Sequence, residues 1–227
     1  MKIERLINAP VSSNCYIISD GSGAIVIDAG TADSEELLNY IQSRDLKIDF
    51  ILLTHEHFDH CAGVNAIHKQ TNAPLYCSEK CNELIQHSRG NYSAYWTEGK
   101  PFEVAPADKI IEDGEQLNWR GHSIYFYLTL GHSLGSTTIR IDNEALFTGD
   151  NYVPNIRTYT NLSGGSKEDL RKTLAFYSLF IKYPSMIVYP GHLKPLTISH
   201  AHFFESLRGY SEQQMKKVAE QLKIKED

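Results

Sequence analysis

The chain has 227 residues, with 41% hydrophobic and 22% charged side chains, proportions that exclude a disordered or coiled-coil protein. Its net charge is -6, and the densest positive stretch is "MKKVAEQLKIK" at the C-terminus, so no basic stripe of the kind that grips a phosphate backbone is expected. The first residues hold no apolar core of the length a signal peptide needs, and no apolar run approaches a membrane span, so a cytoplasmic, membrane-free protein is expected.

In chain order, "NCYIISD" (14–20) and "AIVIDAG" (24–30) read as strands around the turn "DGSG". "SEELLNYIQSR" (34–44) carries Leu37, Leu38 and Ile41 at helical spacing. "DFILLT" (49–54) reads as a buried strand, "CAGVNAIHKQT" as a helix, "APLYC" as a strand and "SEKCNELIQHS" as a helix. Residues 88–106 mix Tyr, Trp, Gly and Pro without a period and read as an excursion from the core. Strands return at 122–129, 136–142 and 145–150. The helix at 166–183 starts with Ser166 and Asp169 as a capping pair and bears a stripe of Leu170, Leu174, Tyr177 and Ile181. "SMIVYPGH" (185–192) is a further buried strand. A last amphipathic helix starts with Ser211 and Gln214 as a capping pair. No linker splits the chain, so one α/β domain over 1–227 is expected, with the sheet order left open.

Chemistry-bearing residues gather at strand ends, where sites are normally built. "ILLT" runs into His55, His57, Asp59 and His60; "FYLTLGH" ends on His132, "LFTGD" on Asp150 and "IVYPGH" on His192. In H-x-H-x-D-H an extended backbone sends His55, His57 and Asp59 to one side, and His60, opening a helix, reaches elsewhere. Imidazole and carboxylate donors suit zinc. Five His and two Asp can serve two ions and leave positions for water, an arrangement that recurs in hydrolases. His68, His87, His122, His200 and His202 belong to no motif and are expected in surface or locally satisfied roles. Cys15, Cys61, Cys77 and Cys81 are too few and scattered for a disulfide scaffold. Cys77 and Cys81, four apart on an expected helix face, lack two further zinc ligands at a matching spacing, and Cys61, just after the histidine cluster, is expected to pack the helix start, with contact to a metal as the alternative.

The series H-x-H-x-D-H, G-H-S, T-G-D and P-G-H resembles the metallo-β-lactamase superfamily over nearly the whole chain, from "IVIDAG" to "YPGH". The resemblance implies an α/β fold, an αββα sandwich of two mixed β-sheets packed face to face with helices on the outer faces. It implies that His55, His57 and His132 hold one metal, that Asp59, His60 and His192 hold the second, and that Asp150 bridges them. Asp28, in "VIDAG", matches the aspartate that supports a metal-bound histidine from behind. Two Zn²⁺ are implied, with iron or manganese as alternatives.

"GHSLGS" and the later "GGSKEDLRKTL" resemble the short glyoxalase II-like hydrolases. They imply hydrolysis of a small-molecule thioester or ester by a zinc-bridged hydroxide, formed because zinc lowers the pKa of its bound water to near 7, with Asp59 or Asp150 managing the proton. Only 35 residues follow His192, too few for the helical glutathione-binding domain of full-length glyoxalase II. Tyr92, Tyr95, Trp96, Tyr152, Arg157 and Tyr159 either line a substrate pocket or pack their loops onto the core. A lactonase shares the ligand set. A mononuclear iron persulfide dioxygenase shares the motif, and a non-catalytic metal-binding interaction module is the alternative of a different class. A diiron flavoprotein would carry Glu where this chain has His57.

Overall fold

The structure, a computed structural model, describes residues 1–96 and 100–203. The expected C-terminal helix, with Ser211 and Gln214, lies outside them, as does the side chain of Trp96. The chain divides into two compact units, Met1–Glu112 and Asp113–Asp227. Each contains one six-stranded mixed sheet, as the α/β expectation requires.

The first unit runs β1 (Lys2–Ile7), β2 (Asn14–Asp20), β3 (Gly23–Ile27), α1 (Glu35–Ser43), β4 (Lys47–Leu52), α2 (Phe58–Cys61), α3 (Val64–Thr71), β5 (Leu75–Ser78), α4 (Glu79–Ile85), α5 (Ser93–Trp96) and β6 (Lys109–Ile111). Its sheet has the order β1-β2-β3-β4-β5-β6. The first two pairings are antiparallel and the other three parallel. The parallel strands are joined through helices, as crossover connections require. Apolar alternation places Cys15, Ile17, Ala24, Val26 and Ile51 in one cluster with Leu37 and Ile41 of α1, Val64 and Ile67 of α3, and Cys81 and Ile85 of α4. The Ser78 hydroxyl caps α4 by accepting from the Cys81 amide.

The second unit runs β7 (Gln116–Trp119), β8 (His122–Leu128), β9 (Thr137–Ile141), β10 (Ala145–Gly149), α6 (Lys167–Ser178), β11 (Ile187–Pro190) and β12 (Leu196–Thr197). Its sheet order is β12-β11-β10-β9-β8-β7, antiparallel except for β10 with β11. Leu170, Leu174 and Tyr177 of α6 pack with Leu146 and Val188.

Several expectations need correction. The extended backbone of the histidine stretch stops at His57, and Asp59 and His60 both lie in the helical turn α2, so Asp59 does not follow the period of two. The long helix is α-helical only to Ser178 and tightens into a 3₁₀ turn over Leu179–Lys182. That change of pitch rotates Ile181 out of the stripe, and it is 45% exposed. Cys77 is a strand residue of β5 and Cys81 a residue of α4, so they do not share a helix face. Within the stretch read as an excursion, the Asn91 side-chain amide donates to the carbonyls of Ile85 and Phe102 at 3.2 and 3.0 Å.

Candidate metal centre

In the first unit the parallel pairing of β3 and β4 brings their carboxyl ends to one edge, with Ile27 beside Leu52. Asp28 and Thr54 therefore leave the sheet as neighbours. The Asp28 carboxylate accepts the Thr54 amide at 2.8 Å and the Thr54 hydroxyl at 2.6 Å. It also meets Nδ1 of His60 at 3.0 Å. Asp28 sits at a positive φ of 59°, a conformation that Asp tolerates better than most residues and that these bonds hold in place.

His55, His57 and His60 are all buried. The His55 ring lies 4.7 Å from that of His57 and 4.2 Å from that of His60, centroid to centroid. Nδ1 of His55 sits 3.1 Å from the Thr54 hydroxyl. Since Nδ1 of His60 is engaged by Asp28, its Nε2 is the nitrogen left to face a metal, and it lies 3.5 Å from Oδ2 of Asp59. Ligand-type atoms of Asp28, His55 and His60 lie within 4.8 Å of one another.

The backbone beneath this turn is braced as well. The carbonyl of Asp59 accepts the Ser13 hydroxyl, and the Asn8 amide reaches it at 3.5 Å and the Asp28 carbonyl at 3.0 Å. A Cβ on Gly30 would lie 1.6 Å from that same carbonyl oxygen, so only glycine lets the "DAG" loop approach the histidine turn.

In the second unit β8, β10 and β11 run in one direction, and their carboxyl ends share an edge. His132, Asp150 and His192 follow those ends. Oδ2 of Asp150 lies 3.7 Å from Nε2 of His132 and 3.3 Å from Nε2 of His192. Nδ1 of His132 is paired with the Tyr159 carbonyl at 2.8 Å, which turns Nε2 toward the carboxylate. Gly131, at φ 147°, lies against α6, where a Cβ would be 2.5 Å from Cα of Leu170. Ser166 and Thr173 hold the carbonyls of Gly131 and Leu130 at 2.8 and 2.7 Å, fixing the loop that carries His132.

The remaining candidates take varied positions. Tyr92 sets its ring edge-on to His57, centroids 5.0 Å apart. Tyr95 and Tyr159 are 64% and 56% exposed, and Arg157 is exposed. Tyr152 is 2% exposed and packs against Phe203 at 4.7 Å, so of the two readings it takes the core one. Cys61 is buried and donates to the Glu56 carbonyl. His68 and His122 are locally satisfied by the Ala73 carbonyl and by Asp142. Thr54, Asn151 and the Tyr159 carbonyl, which hold site residues in place, bear no spacing signal. Their only cue is adjacency to His55 and Asp150 for the first two. A cleft of about 760 Å³ in the second unit, walled by Tyr125, Tyr127, Arg140 and Phe176, contains none of the candidate ligands.

The donor set fits divalent metal: His55, His60 and His132 each have Nδ1 engaged by a neighbour, which leaves Nε2 to ligate, and carboxylates lie beside them. Among the described residues no helix is long and apolar enough to cross a membrane. Residues 8–192 match the family model described as the metallo-beta-lactamase superfamily. The probable metallo-hydrolase YqgX of Bacillus subtilis (strain 168) is 28% identical, over 75% of this chain and 80% of its own. The solved BLEG-1 B3 metallo-beta-lactamase is 28% identical at a TM-score of 0.80, covering 88% of this chain and 95% of its own. TTHA1623, solved in a di-iron-bound form, is 26% identical at a TM-score of 0.73, covering 87% and 96%.

Proposed function

Because the chain belongs to the metallo-β-lactamase superfamily, we propose that it is a metal-dependent hydrolase acting on a thioester or ester of a small molecule. The observation that carries this reading is the Asp150 carboxylate set between the imidazoles of His132 and His192, at 3.7 and 3.3 Å. A carboxylate in that position suits a ligand shared by two ions better than an ordinary surface acid. In this reading His55, His57 and His132 hold one divalent metal, Asp59, His60 and His192 hold a second, and Asp150 bridges. Bound metal would supply Lewis acidity and a water acidic enough to lose its proton near neutral pH.

The chain's own residues supply the rest. Asp28 fixes the tautomer of His60 and the Tyr159 carbonyl that of His132, so each presents Nε2. In the same reading Asp59 or Asp150 accepts the proton released on attack and returns it to the leaving group. Tyr92, lying edge-on to His57, borders the substrate in this reading.

The choice of thioester or ester rests on the resemblance of "GHSLGS" to glyoxalase II-like hydrolases. The metal is zinc in the same reading; YqgX is named a probable metallo-hydrolase, and the di-iron form of TTHA1623 makes iron the principal competitor.

The test is a substrate panel on metal-loaded protein with thioester, lactone, β-lactam and phosphodiester arms, run beside His55→Ala. Thioester turnover lost in the variant supports the proposal. Turnover in the lactone or β-lactam arm alone replaces the substrate class, and undiminished turnover by His55→Ala overturns the site.

A further inference from the structure

We propose that Asn151 is a positioning residue that sets the spacing between His132 and Asp150, backed from α6 by the hydroxyl chain Thr129–Thr138–Tyr177. The inference rests on reading those two residues as metal ligands. Asn151 directly follows Asp150, and its side-chain amide makes two bonds to the backbone of the loop that delivers His132. Its Oδ1 accepts the His132 amide at 3.0 Å, and its Nδ2 donates to the Thr129 carbonyl at 2.6 Å. One planar amide thus joins the two loops that carry the imidazole and the carboxylate.

Behind it, the Thr129 hydroxyl meets that of Thr138 at 2.7 Å, and Thr138 meets the Tyr177 phenol at 2.6 Å. Asn151, Thr129, Thr138 and Tyr177 are all buried. Moving Thr129 would therefore leave a buried polar group unpaired, which is costly enough to hold the loop where Asn151 grips it. The Thr158 hydroxyl secures the other side of the residue, donating to the Asn151 carbonyl at 2.9 Å. A simple core-filling role would need none of these bonds to point at the two ligand loops.

The test is cobalt(II) titration of metal-free protein, read by visible absorption, for wild type, Asn151→Ala and Asn151→Asp, with melting temperatures of the metal-free forms alongside. Asn151→Ala removes both loop contacts. Asn151→Asp keeps the acceptor for His132 and loses the donor to Thr129, so it stays informative if the alanine variant fails to fold. Cobalt affinity is expected to fall at least about tenfold in either folded variant, with altered absorption bands. A merely structural role would lower the melting temperature and leave the affinity and bands unchanged, and that result in a folded variant overturns the proposal. Wild type that binds no cobalt overturns the metal-site reading itself and this inference with it.

Discussion

Oδ2 of Asp28 lies 3.0 Å from Nδ1 of His60, and the same carboxylate holds both the amide and the hydroxyl of Thr54. One buried acid thus orients a candidate metal ligand and pins the strand end from which the histidine stretch departs. Replacing Asp28 with Ala is expected to weaken metal binding roughly 10- to 100-fold, the usual effect of removing a partner behind a ligating histidine. Chelator competition for zinc measures this, and unchanged affinity would show that Asp28 serves the fold alone.

Gly30 is the close-approach residue of the first unit, since a Cβ there would overlap the Asp59 carbonyl oxygen at 1.6 Å. Backbone must move to admit it, so Gly30→Ala is expected to destabilise by about 1–3 kcal/mol or more. Urea unfolding of the metal-free protein gives the number. A Gly30→Ala variant within 0.5 kcal/mol (about the spread of harmless surface changes) would contradict the packing described.

All four cysteines are buried and unbridged, and burial pushes the Cys15 and Cys61 thiols up from their ordinary range. Thiolate, the reactive form, is therefore scarce, and its access is blocked. Native protein at pH 8 is expected to react with a disulfide reagent only as fast as it unfolds, and denatured protein immediately. Rapid labelling of native Cys61 would show that the turn beneath the histidines opens.

Burial raises the Tyr177 phenol to about 12, against an ordinary value near 10. Because the folded value is the higher one, the contribution to stability is complete below pH 10 and is lost as pH rises from there through about 12. Tyr177→Phe cannot ionise, so its stability relative to wild type is expected to improve across that window. Parallel wild-type and variant stability curves above pH 10 would contradict the assignment.

The parts of the molecule that could be read from sequence are those where side-chain chemistry is unusual for its place. His and Asp at the ends of apolar runs stand out because burying such groups is costly without a purpose; Asp28 in "VIDAG" is marked only by the resemblance to the superfamily. Thr54 and Asn151 are ordinary polar residues, and only the three-dimensional contact reveals that each grips a segment bearing candidate ligands. The edge strand β1 carries little sequence signal because its residues are mostly half-exposed and its apolar alternation is weak; β6 and β12 are three and two residues long, too short to show a period. Tyr152 illustrates the limit from the other side: an aromatic in a loop beside the site looks the same in sequence whether it lines a pocket or, as here, packs on Phe203.

In the proposed function, the seven His and Asp residues at the strand ends hold a pair of divalent metals. Elemental analysis of protein purified without added metal, wild type beside Asp150→Ala, tests it most directly. About two equivalents of zinc or iron per wild-type chain, falling to one or fewer in the variant, is the expected result. Equal metal content in both proteins, or none retained by wild type, would contradict it.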